Sequence, residues 1–227
     1  MSRLSITIMA VPEREEWVRD LQRQIGQRVP VSWDHAKRGP WGAAEQAWRT
    51  VKGGATHHLV LQDDAIVCRD FIRSCEAALD AVPSAPVAFY ANRKVIEEAR
   101  AAGSSWAITK FMTWGVATCL PVWLIPKFLD WQKKNIVPDL RSDDFRLNSF
   151  FEEYYYPVHC PAPSLVDHRD GPSVAGNHPP MRRVARWFVG TDRSGTEIDW
   201  SAGIDNPPTV SLPSRLRRKK NREKYLR

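Results

Sequence analysis

Two adjacent carboxylates, Asp63 and Asp64, close the run His57-His58-Leu59-Val60-Leu61-Gln62. Side by side they repel unless a cation or a shared proton relieves them. For an oxygen-only pair the usual relief is a hard divalent ion, Mg2+ or Mn2+, which also neutralises phosphates. A second acid pair, Asp143-Asp144, follows Ser142, and an imidazole, His168, ends the segment Pro163-Ser164-Leu165-Val166-Asp167-His168. Neutral imidazole is a good ligand for such ions, and a carboxylate near an acceptor hydroxyl can take its proton. These types together point to metal-dependent chemistry on a nucleotide or diphosphate. Each has a plainer reading. Asp-Asp after a strand can open a turn or cap a helix, acids are favoured in any first helical turn, and a loop histidine need bind nothing.

The elements that would position these groups alternate. Leu4–Val11 reads as a strand ended by Pro12, and Glu13–Ile25 as a helix with Trp17, Val18, Leu21 and Ile25 on one face. Val29–Trp33 is a short strand and Ala43–Val51 a helix closed by Gly53-Gly54. In the stretch His57–Val67, the dense apolar run is a buried strand that ends on Asp63-Asp64 and so carries the acids to a sheet edge. In open α/β sheets ligands bind at that edge. His57 and His58 begin the strand and read as structural. Arg69–Val82 is a helix, Val87–Tyr90 a strand, Val95–Ala102 a helix and Trp106–Thr113 a strand leading to a turn at Gly115. Pro121–Lys134 reads as a helix with proline in its first turn, and Ser142 as the cap of a helix from Asp143 to about Tyr154. The alternation predicts an α/β fold, a mostly parallel central sheet with helices on both faces. Cys160–Pro180 has loop composition, Met181–Val189 reads as a short basic helix, and Gly190–Ser214 as irregular.

Composition narrows the class. The chain of 227 residues is 43% hydrophobic, enough for a real core. Its net charge of +7 resides wholly in the last thirteen residues, which hold eight basic groups and one acid, Glu223. Such a tail suits nucleic acid or an anionic membrane surface, and equally a solvated, disordered end. Four cysteines without CxxC spacing, and an N-terminus that runs straight into a strand, lead to the expectation of a reducing cytoplasmic compartment. Pro121, Pro126, Lys127 and Asp130 interrupt the apolar stretch Trp114–Trp131, so no transmembrane segment is expected.

The ordered set resembles the GT-A-type glycosyltransferases over roughly residues 4–178. The set is a first strand with a short loop, a strand ending in Asp63-Asp64, a helix opening on Asp143-Asp144, and the segment ending at His168. The resemblance implies a Rossmann-like catalytic domain at 1–180, an extension at 181–214 packed on it, and a basic tail at 215–227. It implies an inverting sugar transfer from a nucleotide-sugar donor, a UDP-sugar by preference, with Mn2+ or Mg2+. Gln62-Asp63-Asp64 matches the family's DxD-type motif, with Asp64 on the metal and Asp63 on the donor ribose or a metal-bound water. Gln62 departs from the pattern, where many relatives carry an acid, so fewer protein oxygens would hold the metal. Asp144 or Asp143 would be the catalytic base. His168 would be a further metal ligand, with His178 a second choice. Ala10, Val11 and Pro12 would lie against the donor base, Arg14 near a phosphate, and Trp114-Gly115 on the acceptor side.

The acceptor is open at this level. Small phage-type glycosyltransferases that decorate hydroxymethylated pyrimidines are similar in size and layout, which makes DNA the favoured acceptor. The target base would then leave its stack, and phosphate contacts would make binding fall with salt. A carbohydrate or a lipid-linked cell-envelope acceptor is the alternative, the latter with the tail on an anionic membrane. A metal-dependent nucleotidyltransferase would show a glycine- and lysine-rich phosphate loop, and none appears near Val11. A non-catalytic nucleic-acid-binding protein on a transferase scaffold is the remaining reading.

Overall fold

The first strand is buried on both faces, Ser5 and Thr7 included, and so lies inside a sheet. β1 (Leu4–Ala10) runs parallel to β2 (Val31–Trp33) on one side and to β3 (His57–Gln62) on the other. A single 3-10 turn at Pro12–Arg14 leads into α1 (Glu15–Ile25), whose periodic residues Val18, Leu21 and Ile25 are buried. Gly26 ends it in the left-handed region, φ 81°, where a side chain would be strained. α2 (Pro40–Arg49) starts earlier than its apolar pattern, because Pro40 takes the first helical position, where its missing N–H costs nothing.

The chain continues through β4 (Ala65–Val67), α3 (Phe71–Ala81), β5 (Val87–Ala88), α4 (Val95–Ala101) and β6 (Trp106–Thr109). It then forms β7 (Ala117–Pro121), α5 (Leu124–Lys134), α6 (Asp143–Glu153), β8 (Val158–Pro161), β9 (Val166–His168) and β10 (Thr209–Val210). The computed structural model describes residues 1–37, 39–112, 114–135, 142–169 and 183–210. His178 and the tail at 215–227 lie outside the described residues.

Eight strands form one sheet in the order β10-β6-β8-β5-β7-β3-β1-β2. The fold is α/β, but the sheet is mixed rather than mostly parallel. β7 runs antiparallel to both β3 and β5, and β6 antiparallel to β8. The sequence reading missed β7 because Val116–Leu120 is apolar at every position but Thr118, a run that periodicity alone cannot assign to strand or helix. Pro121 therefore ends a strand, and α5 begins only at Leu124.

Helices cover both faces. Alternate residues of β3 divide between them, Leu59 and Leu61 packing with α1 and α3, Val60 with α2, α4, α5 and α6. Trp48 and Phe128, fully buried, meet edge to face at 6.1 Å on the second side.

Two further differences bear on function. The strand ends at Gln62, just before the two acids as expected, but after the Asp63-Asp64 turn the chain enters a separate two-stranded sheet, β4 with β9, that the sequence reading did not foresee. The loop composition after Cys160 hides β9, a strand too short to show an alternation. Residues 183–189 form no helix. Residues 183–210 instead lie along the fold, through bridges Phe188–Ser164 and Ser194–Arg69 and through β10 on the sheet edge.

Candidate active site

The acid pair sits where β3 leaves the sheet. Asp63 turns back toward the end of β1, where its Oδ2 accepts the Val11 N–H at 3.0 Å. Ala10, Val11 and Pro12 are thus held directly against it. Arg14, on the 3-10 turn that Pro12 opens, donates from Nη1 to Asp63 Oδ1 at 2.7 Å and to Asp64 Oδ2 at 2.6 Å. The side chains of this trio are 7–13% exposed. Arg14 is therefore an ion-pair partner of the acids rather than an exposed helix residue. The Trp17 ring backs its guanidinium at 4.6 Å.

His168 arrives through β9. Register Ala65↔His168 places it beside the first residue after the acid turn, and Arg169 N–H donates to the Asp64 carbonyl at 2.7 Å. Its Nε2 lies 3.2 Å from Asp64 Oδ2, and both side chains are buried. With Nε2–H donating, Nδ1 is left as an acceptor, and it is buried without a partner. Asp64 Oδ1 is likewise buried and unpartnered. Burial pushes the Asp64 carboxyl up, but His168 and Arg14 together outweigh it and hold the group below the ordinary carboxylate range. Asp63 goes the other way, because burial and the charge of Asp64 outweigh Arg14.

The second acid pair opens α6. Ser142 has the extended backbone of an N-cap, yet its hydroxyl donates to Asp144 Oδ1 rather than capping a backbone N–H. The Phe145 N–H also donates to Asp144 Oδ1, at 2.9 Å. Asp143 is 1% exposed, with Oδ2 lacking any partner, while Asp144 at 9% is the more accessible of the two. Burial, then the charge of Asp144, pushes Asp143 up to about 7, and burial raises Asp144 as well.

Gly115 joins the two acid pairs. β3 and β7 pair in register Leu61↔Ala117, and Gln62 N–H donates to the Val116 carbonyl at 2.9 Å. Continued past the strand ends, that register sets Gly115 across from Asp63. A Cβ on Gly115 would stand 3.3 Å from Asp144 Cβ and 3.4 Å from Asp143 Oδ1. A side chain there would make Asp143 and Asp144 give way by a few tenths of an ångström. The adjacent Trp114 is partly buried, its ring 6.4 Å from Tyr90, which in turn lies 6.4 Å from the His168 ring.

The structure thus gathers Ala10, Val11, Pro12, Arg14, Asp63, Asp64 and His168 into one cluster, and Trp114, Gly115, Asp143 and Asp144 into a second beside it. Sequence reasoning missed the double ion pair of Arg14 and the linking place of Tyr90. Trp17, one helical turn after Arg14, was a readable sign that the arginine lies against the protein. His57 and His58 are structural, as expected: His57 contacts the Pro83 carbonyl, and His58 contacts Ser5 Oγ and the Ala47 carbonyl.

Asp64 and His168 pass a simple test as metal ligands. Two donors about 2.1 Å from an octahedral ion and at right angles to each other stand about 3 Å apart, and the Asp64 Oδ2 to His168 Nε2 separation is 3.2 Å. Among the described residues no group of three or more His, Cys, Asp or Glu side chains converges as a metal site. An ion here would take its remaining ligands from substrate and water. No helix among the described residues is long and apolar enough to cross a membrane. Comparison with protein-family models and with curated protein sequences finds no match for the chain.

Proposed function

We propose that the protein is a glycosyltransferase of GT-A type. It would move a sugar from a nucleotide-sugar donor, a UDP-sugar by preference, to an acceptor hydroxyl with inversion at the anomeric carbon. The observation that carries the reading is the buried contact of His168 with Asp64, each with an unpartnered polar atom, together with a second carboxylate pair held against Gly115. A structural ion pair would leave fewer buried polar atoms unanswered.

In this reading Asp64 and His168 hold Mn2+ or Mg2+. When bound, the ion supplies Lewis-acid stabilisation of the leaving diphosphate. Asp63, fixed against Val11, receives the donor ribose or a metal-bound water, and Ala10, Val11 and Pro12 border the nucleotide base. Asp144, the more accessible acid at the start of α6, takes the proton of the attacking hydroxyl. Burial raises the proton affinity of Asp144, and of its neighbour Asp143, toward the working range of a general base. Trp114 and Gly115 line the acceptor side.

Arg14 favours a second version of the same chemistry. Its guanidinium already pairs with both acids of the motif, so it can pass to the diphosphate as charge develops there, with the ion contributing less. The favoured acceptor is a hydroxymethylated pyrimidine in DNA, and the expected location is cytoplasmic. Incubating the protein with a panel of nucleotide sugars, with and without Mn2+ and with and without hydroxymethylcytosine DNA, tests the reading. Release of a nucleoside diphosphate from one donor is the expected result. No release from any common donor, with the ion or without it, overturns it.

A further inference from the structure

A shallow recess beside the site carries a cation with no anion. It is open to solvent, has room inside for little more than one water-sized group, and is lined by Tyr90, Asn92, Arg93, Phe111, Met112 and Trp114. Arg93 lies over the Phe111 ring at 5.4 Å, and its Nε is buried with no hydrogen-bond partner. Among the described residues no carboxylate pairs with it. A guanidinium fixed by a ring and left without an acceptor is completed by an oxyanion.

Position narrows the ligand. The sheet order β1-β3-β7-β5 lines up four segments in sequence: Val11–Arg14, Asp63-Asp64, Trp114-Gly115 and Tyr90–Arg93. Arg14 lies at the donor end. Arg93 lies at the other end, beyond the Trp114 and Tyr90 rings and on the acceptor side. The recess admits an oxygen of a phosphoryl group, and Trp114, partly buried at its wall, can meet a flat group. Rings interleaved with guanidinium groups (Arg93 over Phe111, Arg183 at 5.9 Å over Trp114) suit a strand of alternating bases and phosphates.

We propose that Arg93 binds a backbone phosphate of a nucleic-acid acceptor, one nucleotide from the base presented to Asp144. The proposal rests on the transferase reading and gives its acceptor a named contact.

The test uses the full chain as wild type, Arg93→Gln and Arg93→Lys. Affinity for a hydroxymethylcytosine duplex is measured by fluorescence anisotropy across a range of salt, with donor turnover measured separately in the absence of DNA. Arg93→Gln is expected to weaken DNA about tenfold at low salt, alike for all sequences, and to flatten the log–log salt slope by about one. Arg93→Lys keeps the slope, and all three proteins turn over donor equally. Wild-type affinity and slope in Arg93→Gln overturn the proposal, as does a wild type that does not bind DNA. An Arg93-dependent affinity seen only for vesicles carrying an isoprenyl phosphate also overturns it, and moves the phosphate to a lipid. Donor turnover absent from the wild type fails the transferase reading alone, since the phosphate contact is judged by the slope.

Discussion

His168 Nε2 lies 3.2 Å from Asp64 Oδ2, two residues distant in the chain and joined by the pairing of β4 with β9. That contact brings an imidazole to the one acid of the first pair whose proton affinity is lowered. An ionised carboxylate is the form in which an acid ligates a cation.

Asp64→Asn removes the charge while keeping the shape. Donor turnover in Mn2+ is expected to fall about a hundredfold or more, on the scale of losing a principal electrostatic group. The far-ultraviolet circular dichroism should stay unchanged. Turnover equal to wild type removes Asp64 from the chemistry.

Arg14→Met leaves two buried acids without their cation. Breaking a buried ion pair from one side costs about 3 kcal/mol or more, so the melting temperature should drop by roughly 6 °C or more. Mn2+ should restore more of the loss in this variant than it adds to wild type, because the ion then meets both carboxylates. Equal Mn2+ effects on the two proteins count against a cation site at Asp64.

Gly115→Ala places a methyl 3.3 Å from Asp144 Cβ and against the Asp143 carboxylate. The expected result is a fall in kcat of about tenfold with the donor KM unchanged, since displacement of the base affects the chemical step. A larger effect on donor KM than on kcat would put Gly115 on the donor side.

Asp143 ties stability to alkaline pH. Its folded-state affinity for a proton is raised, to a pKa of about 7 from the usual 3.8. Its contribution is therefore complete below 3.8 and lost as pH rises through about 7. Asp143→Asn carries no such charge, so its melting temperature should fall less than that of wild type between pH 5 and pH 8. A parallel pH dependence in the two proteins overturns the assignment.

The buried histidines act at the opposite end. Burial lowers the proton affinity of His57, His58 and His159 below the usual 6.5. Stability from these groups is complete above 6.5 and lost as pH falls toward their folded-state values. Denaturant midpoints should decline below pH 6.5, and His58→Gln should reduce that decline. A midpoint flat from pH 7 to pH 5 contradicts it.

What the sequence made legible follows physical signal strength. α1 was readable because Val18, Leu21 and Ile25 keep the helical period and Gly26 stops it. β7 was not, because a strand buried on both faces has no period to read, and its antiparallel course decides the sheet. The acids, His168 and Gly115 could be singled out by type alone. Their partners could not: the hold of Arg14 on both acids and the approach of Gly115 to Asp143 depend on strands meeting across the sheet, which no local pattern encodes.

The small β4–β9 ribbon has a further consequence. It contains six residues and lies outside the eight-stranded sheet, yet it alone sets where His168 meets Asp64. Its residues Ala65, Val67 and Val166 are buried in the same core as Ile6, Ile8, Leu59 and Leu61, so opening the ribbon would expose that core as well as part the two side chains. The candidate centre is therefore tied to the packing of the whole fold. A ligand spanning Asp64 and His168 would draw free energy from holding the ribbon closed, and that gain would register in the melting of the whole chain.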